Sequence, residues 1–301
     1  MVGLAGWGGA QGDPVTAAAA PRDAARRRMA DRVMTGLTAA STLVALVPLA
    51  SVLLYVVVQG AGALNWDFFT QLPKPVGESG GGLANAIVGS LTLIALASCV
   101  GVPIGILGGL YLAELGDGPL GWWIRFTTDV LNGVPSIVVG VFVYTLMVVP
   151  MKRFSALAGG VALGIIMIPL VMRTTEELVR LVPASLREAS LALGIPWWIT
   201  AMRVALRTAA VGILTGVMLA VARIGGETAP LLFTAFNNQY WQTRLDQPIA
   251  SLTVQLYNYA IAPYDDWHRQ AWAAALVLMA MTLTLNMTAR LVGGRRTGAR
   301  P

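Results

Sequence analysis

The sequence has almost none of the side chains with which soluble proteins build disulfides, metal sites or nucleotide pockets. It contains one cysteine and one histidine, Cys99 and His268, so an intramolecular disulfide, a cysteine zinc site and a histidine cluster are excluded. The only lysines are Lys74 and Lys152, and neither follows a glycine. A phosphate-binding loop of the type GxxxxGKS/T is therefore absent. The chain does not bind a nucleotide through that motif.

Charged side chains are also scarce. They make up 12% of the 301 residues, whereas soluble domains carry about a quarter. Hydrophobic residues make up 56%, and the mean hydropathy is +0.67. This composition predicts a bundle of membrane helices. The net charge of +6 is carried by arginines at the ends of apolar segments, which is typical of the positive-inside rule. No soluble basic domain exists to bind nucleic acid.

The apolar residues fall into six segments. A helix needs about 20 apolar residues to cross the hydrocarbon core of a bilayer. The sequence therefore predicts an all-α membrane protein with six spans, at about residues 33–58, 83–112, 122–149, 157–172, 204–222 and 270–291.

The polar segments between and around the spans predict the topology. Residues 1–32 predict a disordered basic tail, and a retained anchor is favoured over a cleaved signal peptide because no small-residue cleavage pattern follows the first span. Residues 294–301 predict a second basic tail. Arginines are concentrated in both tails and between spans four and five, so these parts are predicted to be cytoplasmic. The opposite side holds a long polar connection at 233–269.

The connection at about 184–200 predicts two short helices at an angle. Gly194 can adopt the left-handed conformation that ends one helix, and Pro196 can open the next. Apolar residues recur at near-helical spacing, with Arg187 and Glu188 on the wetter flank. Such a knob is either a docking surface for a partner or an amphipathic helix that rests on lipid, and the spacing leaves both open.

Span five ends in two ionisable residues, Arg223 and Glu227. Ionisable residues at the end of an apolar span usually face a cavity and mark a permeation path. Their spacing permits an i,i+4 ion pair if the helix continues through Gly225 and Gly226. In the alternative interpretation, Arg223 extends to the membrane interface and Glu227 caps the next segment.

Span three contains a stretch broken by glycine and proline, in which Asn132 and Ser136 lie. The two side chains could line a path through the membrane. Packing of a kinked helix is the alternative and favoured explanation of their position.

The connection at 184–200 resembles the EAA loop of the binding-protein-dependent permeases of ABC importers. The resemblance rests on Glu188, Ala189 and Gly194, although the proline that usually follows near the next span is replaced by Leu206-Arg207. Motifs across about residues 85–290 resemble more specifically a permease subunit of phosphate ABC importers. They include Gly133 to Ile137, Arg173 to Glu177, Leu181 to Pro183, Ala222 to Leu232, Asn237 to Gln239, Gln247 to Ala250 and Trp267.

The resemblance implies a fold and a set of roles. The fold is a six-transmembrane-helix bundle of the type I ABC importer permease kind, with a cytoplasmic coupling-helix loop. Arg173 and Arg223 match the arginines of the substrate path, and Glu227 is expected to pair with Arg223. Glu188, Ala189 and Gly194 match the contact with the ATPase.

The resemblance also implies partners. They are phosphate, a sister permease (PstC-like) as heterodimer, two ATPase subunits (PstB-like) and an extracytoplasmic phosphate-binding protein (PstS-like). ATP with magnesium is expected on the ATPase subunits, and no cofactor or catalytic site on this chain, which is expected in the bacterial plasma membrane.

The residues leave one other cargo open and argue against two other classes of protein. Sulfate or molybdate stays open on residue chemistry, because arginine binds all tetrahedral oxyanions. A stand-alone secondary transporter needs ionisable residues inside several spans, and the sequence predicts buried ones only beside spans four and five. A membrane-embedded enzyme needs a cluster of catalytic side chains, which a single histidine does not supply.

Overall fold

The computed structural model describes residues 21–76, 78 and 80–296. The chain divides into two units, Met1–Tyr55 and Val56–Pro301. Helices account for most of the described residues, and no strand occurs among them. The helices, numbered in chain order, are α1 Pro21–Ala61, α2 Trp66–Thr70, α3 Ala84–Leu115, α4 Pro119–Gly133, α5 Ser136–Met151, α6 Ala156–Arg180, α7 Ala184–Ala192, α8 Trp197–Gly225, α9 Ala229–Thr234, α10 Leu252–Ala260 and α11 Asp265–Arg296.

Five of these helices, α1, α3, α6, α8 and α11, are long and apolar enough to cross a membrane. The predicted third span differs, because α4 and α5 meet at a bend of 104°. Pro135 has no N–H and disfavours helical geometry at the residue before it, and Val134 is accordingly extended. The pair forms a broken span or a re-entrant loop, so the described chain has five spans, or six if the pair is one.

The helices extend beyond the apolar segments that predict them. Helix α6 continues to Arg180, eight residues past the predicted end of span four. Helix α1 already includes residues 21–32, which are therefore helical rather than disordered. Alanine and arginine are strong helix formers and favour a helix there, which the apolar length alone does not reveal. Residues 1–20 and 297–301 of the two predicted tails lie outside the described residues.

Helix α6 is the central helix of the second unit and packs along α3. Small residues allow the two backbones to approach closely: Gly101, Gly105 and Gly109 of α3 face Met167, Val171 and Met172 of α6. Farther along, Gly160 of α6 faces Leu96 of α3. The glycines that interrupt the predicted second span are therefore a packing surface between helices.

Replacing Gly105 by alanine is expected to destabilise this pair. The added Cβ would lie 2.6 Å from the Cβ of Val171, so the helices must separate. Overpacking of this kind costs about 1–3 kcal/mol. The midpoint of detergent-induced unfolding measures the loss. Gly36→Ala in α1 is the matched control, because its Cβ meets nothing within 4 Å. Equal midpoints for the two variants would contradict this packing.

The connection predicted as a polar loop at 233–269 is largely folded. Its helix α10 buries Leu252 and Val254, and the Leu252 amide donates to the Ser90 hydroxyl of α3 at 2.8 Å. The extended stretch before α10 also accepts a backbone hydrogen bond from Ala156 at the Gln247 carbonyl. The reason is that backbone groups near a membrane need partners within the protein. We call the end of the bundle at which α10 lies the α10 end. The opposite end, at which α7 lies, is the α7 end.

Candidate functional site

Arg223 and Glu227 lie at the α10 end, where α8 terminates. Helix α8 ends at Gly225, and the amides of Gly226 and Glu227 turn back to the carbonyls of Arg223 and Ile224 at 3.2 Å. The two glycines therefore break the helix before Glu227 reaches the i,i+4 position. The expected Arg223–Glu227 ion pair is not among those of the described residues.

Arg223 is exposed, and the Glu227 carbonyl accepts a hydrogen bond from the Thr253 hydroxyl at 3.1 Å. In this chain the arginine is therefore open to an anion without displacing a carboxylate. Its side chain follows Thr215 and Leu219 along an exposed stripe of α8.

Arg173 lies on α6, and its own helix supplies carboxylate partners. Its Nε lies 3.0 Å from Glu177 Oε1, and its Nη1 lies 4.0 Å from Glu176 Oε2. The next residue, Thr174, packs against Gly216 of α8. Gly216 is seven residues before Arg223, which corresponds to about 10 Å along a helix. The two predicted path arginines therefore belong to adjacent helices at different depths.

Glu176 is the centre of a charge cluster that was not predicted from the sequence. Its carboxylate is 4% exposed, and its Oε1 lies 2.7 Å from Nε of Arg125 on α4 and 3.0 Å from Nη2 of Arg180. Its Oε2 makes no hydrogen bond to any described residue. Arg125 also donates to the carbonyls of Leu112 and Gly116 at 2.8 Å, so it caps the end of α3.

The prediction that buried ionisable residues lie only beside spans four and five is therefore wrong. Arg125 lies within the predicted third span, and Glu114 lies just past the second. Both are charged residues in or beside apolar segments, which is a signal that the sequence offers. The sequence does not predict which charged residues they pair with. Arg125, for example, pairs with Glu176, which is 51 positions away.

Helix α7 and the turn after it contain the three residues predicted to contact the ATPase. Glu188, Ala189 and Gly194 are all exposed, and Leu193 beside them is 80% exposed. Gly194 has φ +77°, which confirms the left-handed end of the first short helix, and α8 begins directly after Pro196. The first short helix of the predicted knob is therefore present and exposed, but the second is not a separate helix, because the residues from Trp197 onward form the start of α8.

Asn132 and Ser136 lie on either side of the bend between α4 and α5. Asn132 is exposed and Ser136 is half-buried, and neither side chain makes a hydrogen bond to another part of the described chain. The bend places both side chains at a surface of this chain. There they can line a transport path or contact a neighbouring subunit.

Electrostatic pairing also orders the α10 end. Asp246 accepts two hydrogen bonds from Arg244 at 3.1 Å and lies 2.9 Å from Arg153. The hydrogen bond from Arg244 lowers the pKa of the Asp246 carboxyl. The pairing is therefore present above the ordinary aspartate pKa and is lost as the pH falls through the lowered value. Within the described ranges, no group of three or more His, Cys, Asp and Glu side chains could hold a metal ion.

Two solved structures share this arrangement of helices. A chain of a bacterial ABC transporter involved in the import of the acidic polysaccharide alginate matches with a TM-score of 0.66 and 14% identity, over 90% of this chain and 98% of that one. A chain of the MetNI methionine ABC transporter in an inward facing conformation matches with a TM-score of 0.56 and 17% identity, over 71% and 94%. The fold is that of a type I ABC importer permease.

Sequence comparison identifies the family within this class of permeases. The family described as binding-protein-dependent transport system inner membrane component matches residues 101–297. The phosphate transport system permease protein PstA of Yersinia pestis is 44% identical over 90% of this chain and 92% of its own length. The protein of the same name from Xylella fastidiosa (strain Temecula1 / ATCC 700964) is 48% identical over 77% and 81%. The chain belongs to this family of inner membrane components, among the PstA-type permeases.

Proposed function

We propose that this chain is the membrane-spanning translocation subunit of an ATP-driven importer of inorganic phosphate. The observation that carries the proposal is the 44% identity to a phosphate transport permease over nine-tenths of both chains. The exposed arginine at the end of α8 fits this cargo, because phosphate is an anion with one to two negative charges at neutral pH. Such an ion cannot cross a hydrocarbon core unaided.

The proposed path passes Arg223 first and Arg173 second. A guanidinium group matches phosphate oxygens in pairs and keeps its proton at every physiological pH, so it is suited to this task. Arg223 meets the anion without a competing carboxylate on its own helix. At Arg173, the carboxylates of Glu176 and Glu177 compete with the anion for the guanidinium, which favours release. Glu227 lies beside the first site and is proposed to weaken the binding of the anion there.

In this proposal, ATP hydrolysis by other subunits powers the transport. Glu188, Ala189 and Gly194 form the surface that one of the two ATPase subunits (PstB-like) would contact, and ATP with magnesium would be bound on those ATPase subunits. This chain carries out no catalysis of its own. A sister permease (PstC-like) would complete the path, facing Asn132 and Ser136. A phosphate-binding protein (PstS-like) would dock at the α10 end.

The proposed orientation rests on arginine placement. Arginines are concentrated in both terminal segments and between α6 and α8. The positive-inside rule then assigns both termini and the α7 end to the cytoplasm, and the α10 end to the extracytoplasmic side. This arrangement fits a multi-pass protein of the bacterial cytoplasmic membrane. It also fits an ATPase contact at α7.

Uptake of radiolabelled phosphate tests the proposal. Cells that lack their own phosphate permease of this type, but retain its partner subunits, would be complemented with this chain. We expect phosphate uptake that a hundredfold excess of sulfate or molybdate leaves unchanged. Insertion of the chain into the membrane would be measured in parallel. Restored uptake that sulfate or molybdate competes away would assign the chain to another oxyanion, and no uptake despite insertion would contradict the proposal.

A further inference from the structure

Arg187 of α7 points back into the bundle, so its predicted place on the wetter flank is wrong, whereas its neighbour Glu188 is exposed as predicted. Its Nε and Nη2 lie 3.0 and 2.9 Å from Oε1 of Glu114, near the end of α3. Glu114 is 6% exposed and Arg187 is 23% exposed. Consecutive residues of a helix differ by about 100° in direction, so one turn of α7 presents one charge outward and the other inward.

The same guanidinium also binds the end of α6. Its Nη1 donates to the Val182 carbonyl, and its Nη2 donates to the Val179 carbonyl, both at 2.9 Å. These carbonyls belong to the last turn of α6 and the residues after it, where a helix leaves its acceptors unpaired. Because a guanidinium is planar and rigid, Arg187 holds α7, α3 and α6 in a defined relation.

A second polar contact joins α7 to the next span. The hydroxyls of Ser190 and Thr200 lie 2.8 Å apart, and both residues are buried. Helix α7 is therefore bound to α3, α6 and α8 on one side, while its other side is exposed. Helices α3 and α6 are themselves packed through their glycines. A displacement of α7 thus acts on a closely packed pair of spans.

We propose that the Arg187–Glu114 pair transmits the movement of α7 to the adjoining ends of α3 and α6. This inference rests on the proposed docking of an ATPase at α7. Separating the pair would leave the Glu114 carboxylate, which is almost fully buried, without its partner, and such a carboxylate is costly. The two groups therefore move together. Arg187 and Glu114 act as positioning residues and do not touch the substrate.

The test uses the complete complex of both permeases, the ATPase subunits and the binding protein in lipid vesicles. The variants are Glu114→Gln, Arg187→Gln and the double variant, with Asp117→Asn as matched control. Asp117 is an exposed carboxylate one turn after Glu114 and has no ion pair among the described residues. Glu114→Gln leaves Arg187 its two carbonyl acceptors, so it is expected to fold even where Arg187→Gln does not.

Two quantities are measured. The first is hydrogen–deuterium exchange of residues 106–115 and 184–192, with and without ATP and vanadate. The second is radiolabelled phosphate taken up per ATP hydrolysed. In wild type and Asp117→Asn, we expect ATP to change exchange in both segments. In the three variants, the change in 106–115 and the uptake per ATP should fall at least about fivefold, the lower end of coupling between sites.

The double variant should resemble the single variants, because both remove the same contact. Effects that multiply, or an unchanged response of residues 106–115, would overturn the proposal. The same holds if ATP leaves residues 184–192 of the wild type unchanged. Failure of the wild type to take up phosphate would instead contradict the proposed cargo, while the exchange comparison would still test the pair.

Discussion

Arg223→Gln is expected to reduce phosphate uptake at least about 100-fold, with the chain inserted in the membrane at normal levels. Arg223 is exposed and has no carboxylate partner within the described part of the chain, so its charge is available to the anion. A hydrogen bond to a charged group contributes about 1.5–3 kcal/mol, and a guanidinium offers phosphate two of them. Each 1.4 kcal/mol corresponds to a factor of ten.

Two variants separate this role from a general effect of charge. Arg223→Lys keeps the charge but loses the paired geometry, and we expect a loss of about tenfold. Arg207→Gln removes another exposed arginine of α8, and uptake should stay within about threefold of the wild type. The measurement is the initial rate of phosphate uptake at saturating phosphate and at a tenth of it. Normal uptake by Arg223→Gln would exclude Arg223 from the path.

Glu176→Gln is expected to destabilise the folded chain by about 3 kcal/mol. The substitution keeps the size of the side chain but removes the negative charge that Arg125 and Arg180 share. Removing one partner of a buried ion pair costs about 3–5 kcal/mol, and the partial exposure of the arginines places this case at the lower end. The contact between α4 and the ends of α3 and α6 should weaken, because Arg125 caps α3 while bound to Glu176.

The adjacent glutamate provides the control. Glu177 is 62% exposed and pairs with Arg173 in solvent, so Glu177→Gln should change stability by no more than about 1 kcal/mol. Unfolding by denaturing detergent in mixed micelles measures both variants. An equal shift of the unfolding midpoint in the two variants would show that the cluster around Glu176 is not a buried one.

Hydrophobic length and local turn chemistry were sufficient to predict much of the fold. Five long apolar helices lie at predicted spans, since each requires only a run of residues that is stable in lipid. The helix end at Gly194 and the helix start after Pro196 were also predictable from the sequence, because a left-handed residue and a missing N–H act within one turn. The glycine and proline around Pro135 also indicated a break in the helix, but they did not indicate its angle of 104°.

The contacts between distant segments could not be read in this way. Arg187 and Glu114 are 73 positions apart, and each is an ordinary charged residue in its own segment. The prediction that Arg223 pairs with Glu227 was wrong, because it required α8 to continue through Gly225 and Gly226.

Hydropathy and turn residues therefore determined the membrane helices and the exposed knob, because these depend on interactions of neighbouring residues with lipid, water and one another. The tertiary structure determined which charges meet. A buried charge requires an opposite charge at contact distance, and only the packing of α3, α4, α6 and α7 brings those charges together.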